Sequence, residues 1–287
     1  MKVDNAIIMA AGTASRFAPL SFEKPKALIE VRGEILIERQ IKQLREAGID
    51  EIIIITGYKA EQFEYLKKKY KVMLIYNPTY LTRNNNASIY VAKKYLKNSY
   101  ICSSDNYFLE NPFENKVDDS YYSAVYAKGQ TNEWCVEEEN GWIKNVTVGG
   151  KDSWVMLGHA FWSESFSRTF IDILKKEYYL PETIDKLWET IFIKHIDKLP
   201  MKLRKYSSDF IFEFDTLDEL REFDHSYKEN TRSAIIKKLS KKLGCNEAEI
   251  INIKAFKNKD NEAVGFVFNK EKTYKYYYIT QRLEEIK

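Results

Sequence analysis

Apolar residues come in short unbroken runs, separated by stretches with helical spacing. Residues 6–11 form one such run, closed by Gly12, which predicts a strand buried on both faces of a parallel sheet. Within 36–47, Ile37, Ile41 and Leu44 share one helical face; Gly48 stops the pattern and 51–55 restarts a buried strand. The alternation repeats, with helices expected at 61–70 and 86–96 and strands at 72–76 and 100–103. From Tyr121 the rhythm becomes strand-like, in pieces at 122–128, 134–138, 142–148 and 154–162 between Gly and Asn turns. Helices are expected at 165–177 and 183–195. A short strand at 210–214 then runs into Asp215 and a helix at 216–222, where Thr216 and Glu219 have the spacing of a capping box. Past Asp224 come a helix at 231–243 stopped by Gly244, a short helix at 246–249, and two strands around a Lys259-Asp260-Asn261 turn. The pattern predicts a doubly wound, mostly parallel, Rossmann-like α/β sheet with added antiparallel strands and a small α+β appendage. The division is expected at 1–224 and 225–287.

Composition narrows the partners. The chain has 287 residues, 44% of them hydrophobic, enough for one large core and a small second one. Its 45 basic and 42 acidic residues nearly cancel, so neither nucleic acid nor a membrane is demanded as partner. Cys102, Cys135 and Cys245 are far apart and odd in number, which suits a reducing compartment. The longest apolar runs are too short for a membrane span or a signal segment, and a cytoplasmic protein is expected. His159, His195 and His225 show neither metal-ligand spacing nor a place in a Ser-His-Asp set.

The first strand opens into Ala10-Ala11-Gly12-Thr13-Ala14-Ser15-Arg16-Phe17, followed by Lys24-Pro25-Lys26. Small residues let backbone N–H groups approach phosphate oxygens, and Arg16 and Lys26 supply the neutralising charge. The dinucleotide glycine fingerprint and the Gly-Lys-Ser/Thr of a Walker loop are both missing. Asp105 and Asp215 each end an apolar strand, where two carboxylates can share Mg²⁺ with substrate phosphates; each could equally serve as a helix N-cap or turn aspartate. Glu133-Trp134 and the set Asp185, Trp188 and Glu189 could hold an ammonium by cation–π and carboxylate contacts. Helical spacing puts the last three on one face, although tryptophans more often serve as core.

These motifs resemble a known family. Ala-Ala-Gly-x-x-Ser-Arg-Phe with Lys-Pro-Lys-Ala-Leu ten residues on is similar to the signature of the sugar-phosphate nucleotidyltransferase superfamily. Thr56 to Phe63, Asn84-Asn85, Ser104 to Tyr107, Thr131 to Trp134 and Glu213 to Thr216 resemble the bacterial choline-phosphate cytidylyltransferases of the LicC type, over residues 5–224. The resemblance implies a triphosphate cradled by Ala11, Gly12, Thr13, Ser15 and Arg16, with Lys26 spanning the reacting phosphates. It further implies Mg²⁺ on Asp105 and Asp215, and cytosine and ribose near Asn84, Asn85, Ser88 and Ser104. Ala14 replaces a second glycine of the family pattern, so a negative φ is expected there. CMP transfer from CTP to phosphocholine is the implied reaction. Leu187 and Asn86-Ala87 thin the aromatic cage, which keeps phosphoethanolamine and 2-aminoethylphosphonate open as acceptors. A sugar-1-phosphate uridylyl- or thymidylyltransferase is also compatible with the motifs, as is a non-catalytic nucleotide sensor; the Asp105/Asp215 pair speaks against the sensor. The segment 225–287 weakly resembles the opening of a choline-kinase-like N-lobe. No residues follow to supply a kinase catalytic loop, so it is expected to be a docking module or to form a homodimer.

Overall fold

The computed structural model describes residues 1–259 and 262–286; Asp260 and Asn261 of the expected turn lie outside the described residues. The chain forms two compact units, Met1–Gly12 with Ile37–Glu213, and Thr13–Leu36 with Phe214–Lys287.

The larger unit is built on a seven-stranded sheet in the order Lys202–Tyr206, Tyr121–Glu139, Trp142–Trp162, Ser99–Ser103, Asn5–Ala10, Ile52–Thr56, Met73–Tyr76. The Asn5–Ala10 strand lies parallel between Ser99–Ser103 and Ile52–Thr56, with Ile7 opposite both Ile53 and Ile101. Ile7 and Ile53 are fully buried, as expected for strands covered on both faces. The four strand pieces expected after Tyr121 are two long antiparallel strands closed by Asn140 (φ 52°) and Gly141 (φ 82°), the positive-φ pair of a tight hairpin turn. Register shifts along this hairpin account for the mid-strand signals that resembled turns. Two short strands went unanticipated. Lys202–Tyr206 runs parallel to Tyr121–Glu139, and Asn106–Phe108 pairs antiparallel with Ile211–Glu213, setting Asn106 opposite Glu213.

His159 sits on the long hairpin, 1% exposed, among the rings of Tyr100, Phe108, Phe113 and Tyr121. Its Nε2 shares a 2.9 Å hydrogen bond with the Tyr121 hydroxyl. Burial, helped by the Arg204 charge, pushes its pKa down from 6.5 to about 3, so the folded protein keeps it neutral. The unfolded chain takes up that proton below 6.5, and stability falls as pH drops from 6.5 toward 3. Once pH is below about 6 the loss is on the order of 1 kcal/mol per pH unit. Urea unfolding between pH 7 and 4 should show this slope, and His159→Phe should flatten it; an unchanged slope would remove His159 as its source.

The smaller unit joins the loop after the first strand to the tail of the chain. Its tail carries a four-stranded antiparallel sheet, Ile251–Lys257, Ala263–Lys270, Lys272–Tyr277 and Leu283–Ile286, where two strands were expected. The helix Ala234–Leu243 ends at Gly244 with φ 64°, the expected stop. At its other end Ser233 is the N-cap, its hydroxyl accepting from the Ile236 amide at 3.1 Å, and Glu23 completes the cap: its carboxylate accepts from the Ser233 hydroxyl (2.8 Å) and the amides of Ala234 (3.1 Å) and Ile235 (2.9 Å). Phe22 stacks on Tyr278 at 3.8 Å and 7°, and the Tyr227 hydroxyl donates to the Glu30 carbonyl at 2.6 Å. Arg221, 5% exposed, donates to the Ile250 and Glu247 carbonyls and so ties the Leu217–Phe223 helix to the tail. Glu23→Ala should cost about 1 kcal/mol, as loss of a helix cap does, and lower the melting temperature by a few degrees. A thermal melt superimposable on the parent would show that Glu23 does not brace the loop.

Candidate active site

The smaller unit gathers the basic candidates. Phe17, 2% exposed, anchors the short turn Ser15–Phe17, and its amide donates to the Ala14 carbonyl at 2.9 Å. Ala14 itself adopts φ 46° and ψ 44°, correcting the expectation of a negative φ. The loop keeps the left-handed bend that a glycine would favour, at a strain of about 1 kcal/mol for the methyl group. Arg16 Nη1 lies 2.7 Å from Asp215 Oδ2, and Lys26 Nζ lies 3.7 Å from Asp215 Oδ1. Arg16 is exposed, whereas Lys26 is 7% exposed with its ammonium 5.8 Å from the Phe17 ring centre. The capping box forms between Thr216 and Glu219, so the helix N-cap is Thr216 and the Asp215 side chain is left to the two cations. The Glu219 carboxylate also accepts from the Asp215 amide at 2.6 Å, fixing the backbone there.

The larger unit carries the other candidates. The Ala11 carbonyl accepts from the Tyr58 amide at 3.0 Å, and a Cβ on Gly57 would come within 2.8 Å of that carbonyl and of Tyr80, so only glycine fits. Gly12 is exposed in open space. Ser104 is buried with its amide on the Met9 carbonyl, and Asp105 is half-buried in the turn that leads to Asn106–Phe108. Ser88 is buried and its hydroxyl accepts from Asn77.

Asn84, Asn85 and Asn86 form a staple. Asn84 Nδ2 donates to the Asp185 carbonyl (3.1 Å), and Asn86 Nδ2 donates to the carbonyls of Thr183 (2.9 Å) and Lys186. Asn85 Oδ1 accepts from the Trp188 amide (2.7 Å), while its Nδ2 donates to Glu189 Oε2 (3.1 Å). The Tyr122 hydroxyl donates to the other Glu189 oxygen at 3.3 Å. Residues expected at the base and at the headgroup thus meet in one hydrogen-bonded cluster.

Two expectations about the headgroup side need correction. The helix begins at Trp188, not 183, so Asp185 lies in the preceding turn and does not share a helical face with Trp188 and Glu189. Donation from Asn84 and Asn86 to the carbonyls of Thr183, Asp185 and Lys186 holds that turn out of helical geometry. Trp188 is 1% exposed, stacked on Tyr122 at 5.6 Å and edge-on to Trp162 at 5.0 Å, in the main core. Glu133 and Asp185 are exposed and Trp134 is half-buried opposite Val148. The Asp185 carbonyl reaches the Glu189 cluster through Asn84 Nδ2, whereas among the described residues no side-chain hydrogen bond or ring contact joins Glu133 or Trp134 to it.

Glu189 is 9% exposed, and burial raises its pKa to about 7 against the lowering effect of the Asn85 and Tyr122 hydrogen bonds. Burial also raises Tyr122 well above the usual phenol range, with Glu189 and Glu213 adding to the shift. Tyr122, Asn86 and Glu213 were not singled out as site residues: Tyr122 and Glu213 occupy strand positions that pattern alone assigns to packing. The period-2 place of Glu213 among phenylalanines was the one available signal.

A mixed, mostly parallel sheet whose first strand opens into a small-residue loop, with an arginine and a buried lysine on one carboxylate, is the arrangement of a nucleotide-transferring enzyme. Residues 6–117 match the MobA-like NTP transferase domain family. The chain belongs to the LicC-type cytidylyltransferases of the nucleotidyltransferase superfamily. It is 36% identical over 224 residues to the choline-phosphate cytidylyltransferase of Streptococcus pneumoniae, covering 78% of this chain and 98% of that protein. It is 34% identical over 228 residues to the 2-aminoethylphosphonate cytidylyltransferase of Lancefieldella rimae, covering 78% and 93%. The solved structure of the S. pneumoniae CTP:phosphocholine cytidylyltransferase superposes with a TM-score of 0.75, covering 79% of this chain and 99% of that one.

The Ala14 bend yields a direct test. Ala14→Gly should raise stability, or at worst leave it unchanged, because relief of about 1 kcal/mol of left-handed strain outweighs the added freedom of the unfolded chain. Denaturant midpoints measure this, and a loss above about 1 kcal/mol would mean the methyl group is needed for packing.

Proposed function

We propose that this protein transfers CMP from CTP to phosphocholine, giving CDP-choline and pyrophosphate. The observation that carries the reading is Asp215 held between Arg16 and Lys26, a cluster of opposite charges suited to exchanging partners with a triphosphate. A phosphocholine oxygen attacks the α-phosphorus of CTP in line while the bond to the bridging oxygen breaks and pyrophosphate leaves. Arg16 and Lys26 offset the charge on the transferring and departing phosphates, and the Ala11–Ser15 backbone cradles them. No covalent enzyme intermediate is required. Asn84, Asn85, Ser88 and Ser104 frame the nucleoside, with the Asn84–Asn85 backbone held rigid by its staple.

Relatives in this family generally use a divalent metal. Among the described residues no three His, Cys, Asp or Glu side chains cluster as a metal site, and Asp215 offers hard oxygen donors at 33% exposure. That donor set suits Mg²⁺, which binds through one or two carboxylates and completes its shell with phosphate and water. Asp105 and Asp215 are the residues proposed to hold it, and when bound it would neutralise phosphate charge.

A second reading, 2-aminoethylphosphonate as acceptor, is favoured by the burial of Trp188, which leaves carboxylates more prominent than aromatic faces at the headgroup. A cytoplasmic place of action is part of this proposal; among the described residues no helix is long and apolar enough to cross a membrane. Residues 225–287 keep their proposed role as a docking or dimerisation module.

Pyrophosphate release with CTP, Mg²⁺ and each of phosphocholine, phosphoethanolamine and 2-aminoethylphosphonate tests the reading. Phosphocholine should show the highest kcat/KM, and Asp215→Asn should lower turnover at least about a hundredfold with an unchanged melt. A higher kcat/KM for 2-aminoethylphosphonate would transfer the assignment to that acceptor, and silence with all three would overturn it.

A further inference from the structure

We propose that Glu189 is the counter-charge that selects a cationic headgroup, and that headgroup binding drives a proton off its carboxyl group. The proposal rests on the cytidylyltransferase reading above. Both Glu189 oxygens are engaged by neutral donors, the Tyr122 hydroxyl and the Asn85 amide. Among the described residues no lysine, arginine or histidine forms an ion pair with it, in contrast to Glu38, which Lys69 meets at 2.7 Å. A buried carboxylate with hydrogen bonds but no cation is under-compensated, and protonation or an arriving cation relieves it.

The surroundings leave that role to the ligand. Tyr122 stays protonated because burial and the charges of Glu189 and Glu213 oppose its ionisation. Asn85 is neutral and locked by the Trp188 amide, and Trp188 presents its ring to Tyr122. Glu213 adds a second negative charge near the same phenol, which further favours a cation there. Near neutral pH the Glu189 carboxyl exchanges between its two forms, since burial brings its pKa to about 7. A quaternary or primary ammonium nearby favours the ionised form and expels the proton. The competing view is that Glu189 only tethers the first turn of its helix.

Calorimetry in two buffers of different ionisation heat separates these views. The ligands are phosphocholine and its uncharged isostere 3,3-dimethylbutyl phosphate, which carries the same phosphate. Near pH 7 phosphocholine should release about half a proton more than the isostere. Glu189→Gln should abolish that difference and cut the preference for phosphocholine over the isostere about tenfold. Tyr122→Phe, which removes one donor to the carboxylate, should move the pH midpoint of the preference upward. Equal proton release for the two ligands on the parent protein, or a Glu189→Gln variant that keeps its preference, overturns the proposal while leaving the cytidylyltransferase reading intact. Failure to bind or turn over any headgroup with CTP overturns both.

Discussion

Glu23 joins two stretches of chain separated by 210 residues, and the basic loop depends on that join. Its carboxylate caps the Ala234–Leu243 helix, while the adjacent Phe22 ring lies flat on Tyr278. Arg16 stands seven residues before Glu23 and Lys26 three after, so both cations flank the brace in sequence. A loop of small residues has little packing of its own and would otherwise retain much backbone freedom. Asp224 extends the support by accepting from the Arg32 amide at 2.8 Å, and the ring of Phe223 lies under the Arg32 guanidinium. The tail is therefore structural support for the loop.

The electrostatics of the two units differ in kind. The Arg16–Asp215 pair is exposed on the arginine side, and such pairs contribute about 0–1 kcal/mol, so Arg16 can leave the carboxylate at little cost. Lys26 is buried, and its charge is held in place by the fold. Glu189 is the opposite case, a buried acid among neutral donors. The smaller unit pairs an exposed and a buried cation with one carboxylate, and the larger unit holds a buried acid among neutral donors.

Much of the sheet was legible in the sequence because unbroken apolar runs such as Ile52–Ile55 can do little except form a buried strand. The Thr216/Glu219 box and the Gly244 stop were legible for the same reason: each is a local rule satisfied by local residues. Tertiary competition hid the rest. Residues 183–187 have helical spacing, but two asparagines from another segment, Asn84 and Asn86, capture their carbonyls, so the helix starts late. Trp188 carries the composition of a cation cage and the burial of a core residue, and only packing decides between them. Glycines at positive φ within the long hairpin, such as Gly129 and Gly149, look like turns in sequence and are irregularities of continuous strands in space.

The brace also bears on how the protein is made. During synthesis the residues around Glu23 emerge early, yet their helix and aromatic partners are not translated until positions 233 and 278. The sheet of the larger unit can close first, using contacts complete by Glu213, while the basic loop waits unpaired through most of elongation. The basic loop gains its brace only after residues 233 and 278 have been made, and a polypeptide interrupted near residue 225 would carry a finished sheet with an unanchored loop.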